Sequence, residues 1–532
     1  MNKTAKKVIS LVLVSLLMLS LCVPGFAALE MNNYPTIHIQ GRSALVYDKD
    51  GKQIYTNPDP SFNEVDYAKS LVPIMAKEIS KTMLTQDWEG YSRTICDKIT
   101  PLFEMIQVDE NADAKDGTNG GEWIPGTPLE SKRDYLFNWD WRTDTMDSSR
   151  NLGKYIQEVK RVTGYDKVNI DSRCLGSVIV AGYLHLGELG EFSPEDDVAN
   201  LVFYVPTAGG SQTVGALFAN QIVFDAKSID DFVTYYMNGP DRFLNDTAYG
   251  DELEVFMATF CSLMYQLNVL GFGTDVIKYI YEQVKDYMVP RLATHVFFFP
   301  SYWAMIDDRY YETAKEQLFK ENSDGYYTVD KDEYAGYIKK IDYYHYNVQT
   351  RLYDIVKQAK DNGINISVIA KYGANLFPVE KDCMAQGDGR VETSALSFGA
   401  YCSKITETLS DEYIASHDSK YISGDKKIDA STCLFPDSTW FIRDTSHASF
   451  PNGIEQFKEK LIRSVEQPTI DNIKEEYGYS QYMTYSASTD SIVEVTEPSK
   501  FDGLFTNDFF VVIFRFLTAL FKLLAKINTV KA

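Results

Sequence analysis

Along the chain, short runs of β-branched and aromatic residues are followed repeatedly by stretches in which apolar residues recur at helical spacing. That alternation predicts strands joined by crossover helices, hence a mainly parallel sheet covered on both faces. The first strand is expected at Tyr34 to Ile39, closing on Gln40-Gly41-Arg42. A hairpin follows from Val46 to Tyr55, then a helical pattern from about Val65 to Ile106. A second strand, Asp134 to Trp141, leads into a helix from about Ser148 to Thr163 on which Leu152, Ile156 and Val159 share one face. Val168 to Asp171 reads as a strand, Ser172 to Gly176 as a tight turn, Ser177 to Leu186 as a helix and Leu201 to Val205 as the next strand. From about Asp225 to Lys357, helices rich in Tyr, Phe and Met take over, which predicts an inserted helical cap. The strand pattern returns at Ile364 to Ala370 and at Ser438 to Arg443, and a helix from Gly453 to Ser464 follows.

These elements divide the chain into a leader at 1–28, a core at 29–224, a cap at 225–357, a second part of the core at 358–470 and a C-terminal extension at 471–532. In the leader, Lys3, Lys6 and Lys7 precede an apolar stretch from Val8 to Val23 and the small-residue pattern Gly25-Phe26-Ala27. That is the pattern of a secretory signal peptide, so an exported, extracellular protein is expected. In the extension, Phe505 to Ile527 is largely apolar, with Arg515, Thr518, Lys522 and Lys526 at near-helical intervals. This amphipathic pattern fits a helix lying in a lipid interface, at the membrane or cell surface, better than one spanning it.

Composition removes several function classes. With 75 acidic and 52 basic residues the formal charge is -23, and such a surface repels nucleic-acid phosphates. The six cysteines beyond the leader, Cys96, Cys174, Cys261, Cys383, Cys402 and Cys433, could pair in an oxidising milieu. None has CxxC spacing and no His/Cys cluster has zinc-ligand spacing, so neither a metal nor another cofactor is expected. Asp48-Lys49-Asp50-Gly51 and Ser323-Asp324-Gly325 resemble fragments of calcium loops, but Asn57 and Lys331 occupy the positions where a Glu is needed. Both are expected to be turns.

The stretch with chemical content is the strand-turn-helix around Cys174. Ser172 lies two residues before it and Gly176 two after, a small-x-nucleophile-x-small pattern. Such a turn exposes the central side chain while the following helix aims its first amides at a developing oxyanion. A free thiol has a pKa of about 8.5, which a helix N-terminus or a cation lowers; Arg173 is the cation at hand. For an elbow nucleophile the chain order is nucleophile, acid, histidine. Of the six histidines, His417 and His447 follow every candidate acid, and His447 is better placed, in the loop leaving the strand at Ser438 to Arg443. His38, His185, His295 and His345 fall elsewhere in the pattern. Asp388 in Gly387-Asp388-Gly389 is the first candidate for the carboxylate that orients the histidine, with Asp382 and Asp444 as alternatives. The oxyanion hole would use the backbone amides of Leu175 and Arg42.

In order, these pieces resemble the α/β-hydrolase superfamily, and within it lipases and acyltransferases similar to lecithin-cholesterol acyltransferase. The matching stretches are Tyr34 to Gly41, Phe137-Asn138-Trp139-Asp140-Trp141-Arg142, the Cys174 elbow, Gly387-Asp388-Gly389-Arg390-Val391 with Ser394-Ala395-Leu396, and His447. The chain departs from the family pattern at Gln40, where histidine is usual, and at Cys174, where serine is usual. The resemblance implies an α/β-hydrolase fold with acyl transfer from an ester, lipidic by analogy, to water or an alcohol through a covalent acyl-enzyme. The alternatives are a thioesterase or other cysteine hydrolase, and a catalytically silent surface-binding protein on the same fold.

Overall fold

The computed structural model describes residues 30–41, 45–56, 64–223, 226–238, 259–376, 385–486, 489–496 and 509–531. The expected leader, Arg42, Asp382 and Cys383 lie outside the described residues. Eight strands form the central sheet: β1 Thr36–Ile39, β2 Asp134–Leu136, β3 Val168–Arg173, β4 Val198–Tyr204, β5 Asn365–Tyr372, β6 Thr439–Arg443, β7 Tyr482–Ser486 and β8 Ser491–Glu494. Their spatial order is β8-β7-β6-β5-β4-β3-β1-β2. Every neighbouring pair is parallel except β7 and β8. The helices used below are α1 Trp88–Ile99, α2 Thr145–Thr163, α3 Gly176–Glu188, α4 Val269–Val296, α5 Asn452–Arg463 and α6 Phe509–Lys531.

The protein is thus an α/β structure, its sheet flanked by helices on both faces. On β4, Leu201 and Phe203 join the hydrophobic cluster that contains Ile156 of α2 and Val180 of α3. Val202 and Tyr204 join the opposite one, with Ile454, Phe457 and Leu461 of α5. A pleated strand turns alternate side chains to opposite faces, so a strand this apolar throughout must be covered twice. Local signals fix the helix ends: the Asp144 carboxylate accepts from the Met146 amide at the start of α2, and Gly164, at φ 75°, ends it.

The helix expected to run from Val65 to Ile106 is broken. Gln86 takes φ 59°, Asp87 caps α1 by accepting from the Gly90 amide, and the last turn tightens into a 3-10 helix at Thr100–Ile106. β2 stops at Leu136, short of Trp141, because the chain beyond it serves other contacts: Asn138 accepts from the Trp123 amide, and Asp140 and Arg142 close a buried ion pair at 2.6 Å. Within the stretch expected as a cap, packing falls into two groups. Val284 of α4 shares a small cluster with Trp88, Tyr91 and Ile95 of α1, whereas Trp303, Tyr311, Tyr337 and Val348 join the cluster under the sheet. β7 and β8 extend the sheet into the segment expected as a C-terminal extension.

The topology creates one special place. From β1 the chain moves outward to β2, returns past β1 to β3, then steps across the sheet to β8. The reversal falls between β1 and β3, and in open parallel sheets it leaves a crevice at the carboxyl ends of the strands. Gly41 follows the end of β1 and Cys174 the end of β3.

Candidate active site

Cys174 takes φ 52°, in the left-handed region that costs an L-residue roughly 1–2 kcal/mol. Its surroundings hold it there. Its amide donates to Tyr204 O at 3.0 Å, and its carbonyl accepts from the Ser177 amide at 3.0 Å and the Ser177 hydroxyl at 2.7 Å. Ser177 Oγ in turn accepts from the amides of Thr207 (2.9 Å) and Ala208 (3.0 Å), fastening the loop after β4 to the elbow. Gly176 explains the need for a small residue: a Cβ there would lie 2.5 Å from Ile39 O, so only glycine lets α3 start this close to the end of β1. A Cβ on Gly41 would lie 3.2 Å from Cys174 Sγ, which puts bare backbone beside the sulfur.

The loops after β5 and β6 complete the site. Asp388 is fully buried, and its Oδ1 accepts from the amides of Arg390 (3.1 Å) and Val391 (3.0 Å), so the carboxylate is fixed by its own turn. Its Oδ2 lies 2.5 Å from His447 Nδ1, and His447 Nε2 lies 2.9 Å from Cys174 Sγ. A backbone bond from the His447 amide to Asp388 O, at 2.8 Å, zips the two loops together. The structure therefore brings Cys174, His447 and Asp388 into one hydrogen-bonded line. Their placement is a consequence of parallel strands ending at the same edge.

Electrostatics follow the line. Burial raises the Cys174 thiol, but the His447 charge and hydrogen bond and the Leu175 amide outweigh it, so the net shift is downward. Burial lowers the imidazole, yet the Asp388 and Cys174 charges carry His447 up to about 10. Burial likewise raises Asp388, and the His447 charge leads the effects that bring its carboxyl below the ordinary value. Both shifts favour the thiolate-imidazolium form of the pair over the neutral one. Arg173, expected to be the activating cation, is engaged elsewhere: its guanidinium bonds Glu455 at 2.6 Å and lies 4.0 Å over the Phe450 ring. The cation at the sulfur is His447.

The remaining candidates are occupied otherwise. Asp444 faces Arg443 Nε at 3.2 Å. His417 stacks on Tyr413, His38 bonds Asp171, His185 bonds Glu188, His295 lies against Arg291, and His345 stacks on Tyr311. Of the two expected oxyanion donors, the Leu175 amide sits at Sγ, and Arg42 is outside the described residues. Among the described residues no group of three or more His, Cys, Asp or Glu could hold a metal ion, and Cys96, Cys174, Cys261, Cys402 and Cys433 are free thiols. A cavity of about 440 Å³ lined by residues including Gln107, His295 and Glu333 touches none of the three aligned residues.

Two residues of the site escaped the sequence reading. Lys371, buried on β5, donates to Ser446 O (2.6 Å) and Ser449 O (2.5 Å), pinning the loop that carries His447. A lysine inside an apolar run was the available signal, hidden by ending the strand at Ala370. Ser177 was read only as the start of a helix, while its hydroxyl organises the elbow.

No protein-family model, curated protein or solved structure matches the chain.

Proposed function

We propose that this is an α/β-hydrolase-fold enzyme that removes acyl groups from esters, lipidic ones by analogy, through a thioester on Cys174. One observation carries the reading: nucleophile, acid and histidine occur in that chain order after β3, β5 and β6 and meet at hydrogen-bond distance beside the topological reversal. The Cys174 thiolate attacks the acyl carbon and forms an S–C bond. The Leu175 amide, at the head of α3, faces the resulting oxyanion. His447 gives its Nε2 proton to the leaving alkoxide as the C–O bond breaks, then takes a proton from water or an acceptor alcohol, whose oxygen displaces the sulfur. Asp388 holds the imidazole's orientation and stabilises its charge. The proposal places this chemistry outside the cell, on the strength of the basic and apolar pattern in residues 1–28.

The test is incubation with short and long p-nitrophenyl esters, alongside Cys174→Ala and Cys174→Ser, read by nitrophenol burst and intact mass. An acyl adduct present in the native protein and absent from Cys174→Ala is the expected result. Neither adduct nor turnover in folded protein would leave the fold as a binding scaffold and end the enzymatic reading.

A further inference from the structure

α6 has three distinct sides. Val512 and Ala519 are buried, at 2% and 3% exposure, and the Phe516 ring lies 6.2 Å from that of Phe260, so one side packs on the protein. Phe510, Phe514 and Leu517, spaced by four and three residues, form a second side that is 80%, 72% and 43% exposed. Arg515, Lys522 and Lys526, spaced by seven and four, mark a third. Those spacings keep each set on its own stripe of a helix.

Charge decides what covers this side. Phe509–Lys531 contains four basic residues, Arg515, Lys522, Lys526 and Lys531, and no acidic one, in a chain whose net charge is -23. In a symmetric dimer built on this side, each basic stripe would approach its own copy. An anionic lipid surface complements the apolar side and the basic residues at once: phosphate headgroups meet the basic stripe of the sequence, and the acyl boundary takes Phe510, Phe514 and Leu517. No helix among the described residues is long and apolar enough to cross a membrane. We propose that α6 docks the protein, lying in the plane of the interface, on membranes carrying anionic lipid. This goes beyond the chemistry of Cys174 and stands independently of it.

The experiment is flotation of the full chain with vesicles of phosphatidylcholine alone or with an equal part of phosphatidylglycerol. Binding is expected on the mixed vesicles and at least about tenfold weaker on the neutral ones. Each basic residue near an anionic surface is worth about fivefold in partitioning, so Lys522→Gln with Lys526→Gln weakens binding by about twenty-five-fold. Phe510→Ser, Phe514→Ser and Leu517→Ser together abolish it, with a cooperative thermal transition showing that the variant is folded. Equal binding to both vesicle types overturns the proposal, as does binding that survives the triple substitution. A dimer that the triple substitution dissolves, with no vesicle binding by the native chain, overturns it in favour of a second copy.

Discussion

Replacing His447 by alanine isolates the part of the site on which the proposed chemistry depends. In the native protein the imidazolium 2.9 Å from Sγ offsets the cost of burying a thiolate. Without it, burial acts alone, and the chain supplies its own reference for that case: Cys96 and Cys433, buried with no imidazolium among their neighbouring charges, are pushed up to about 11 and about 12. A shift of Cys174 into that range leaves a thiolate fraction near neutral pH of roughly one part in ten thousand or less, at least about a hundredfold below that of the native thiol, which is held below its ordinary value. A thiolate of higher pKa is intrinsically more nucleophilic, with a Brønsted coefficient of about 0.4–0.5, which restores about one order of magnitude over such a shift. Iodoacetamide alkylation at Cys174, followed by peptide mass, should therefore be at least about tenfold slower in His447→Ala at neutral pH. The pH profiles should differ as well. The variant's rate should rise tenfold per pH unit to about 11 or beyond, whereas the native rate levels off at a lower pH because its thiol is held below the ordinary value. Equal rates in the two proteins, or profiles that level off at the same pH, would refute the ion-pair account.

Gly176→Ala places a Cβ 2.5 Å from Ile39 O; thermal unfolding should show a loss of about 1–3 kcal/mol, and the nitrophenol burst should slow because α3 and the Leu175 amide must move. Lys371→Met removes the charged donor shared by Ser446 O and Ser449 O, which keep the Ser449 amide and the Tyr204 hydroxyl as donors, so the loss should be about 1–3 kcal/mol in all, and denaturant unfolding together with slower alkylation of Cys174 checks it. Asp171 tests acid stability. Burial raises this carboxyl, but the Lys458 charge, followed by the His38 hydrogen bond, outweighs burial and holds it below the ordinary range. A folded pKa below the unfolded one stabilises above about pH 4 and loses that contribution as pH falls toward the folded value. Asp171→Asn, which leaves Lys458 paired with Glu455 alone at 2.7 Å, should therefore cost about 1–3 kcal/mol at neutral pH, and the gap to the native protein in urea midpoint should close in acid. A gap independent of pH would assign the loss to packing.

The parts of the fold legible in the sequence were those whose side chains all answer to one demand. β4, β5 and β6 are buried on both faces, so each carries a continuous apolar stretch (Leu201 to Tyr204, Val368 to Ala370, Trp440 to Ile442), and α2 shows a helical stripe because only one side of it packs. β7 and β8 were not legible for the opposite reason. They form the edge of the sheet, Tyr482 to Ser486 alternates apolar with polar residues, and Val493 is 45% exposed. The break between Thr85 and Trp88 was hidden because apolar periodicity resumes in α1 after only two residues; Asp87 as a capping residue was its sole mark. The division of the helices between α1 with α4 and the cluster under the sheet depends on contacts across some two hundred residues. Local pattern carries no trace of such contacts.

The site was legible where chemistry constrains residue type, and illegible where it constrains only position. A nucleophile in a left-handed elbow needs a small residue two places on, so Cys174 and Gly176 announce each other. An acid and a histidine after later parallel strands end at the same edge because the strands do, which made Asp388 and His447 recoverable from their order alone. Activation is different, because proximity in sequence is not proximity in charge. Arg173 adjoins Cys174 in the chain, yet on a strand successive side chains point to opposite faces, and its guanidinium goes to Glu455. The charge that reaches the sulfur comes from 273 residues away, on His447. Lys371 follows the same logic at one remove: its neighbours in sequence are strand residues, and its work is to hold two carbonyls of a loop 75 and 78 residues downstream. A thiolate at this elbow is thus a property of the assembled sheet edge, and any substitution that loosens the loops after β5 and β6 should weaken it without touching the elbow itself.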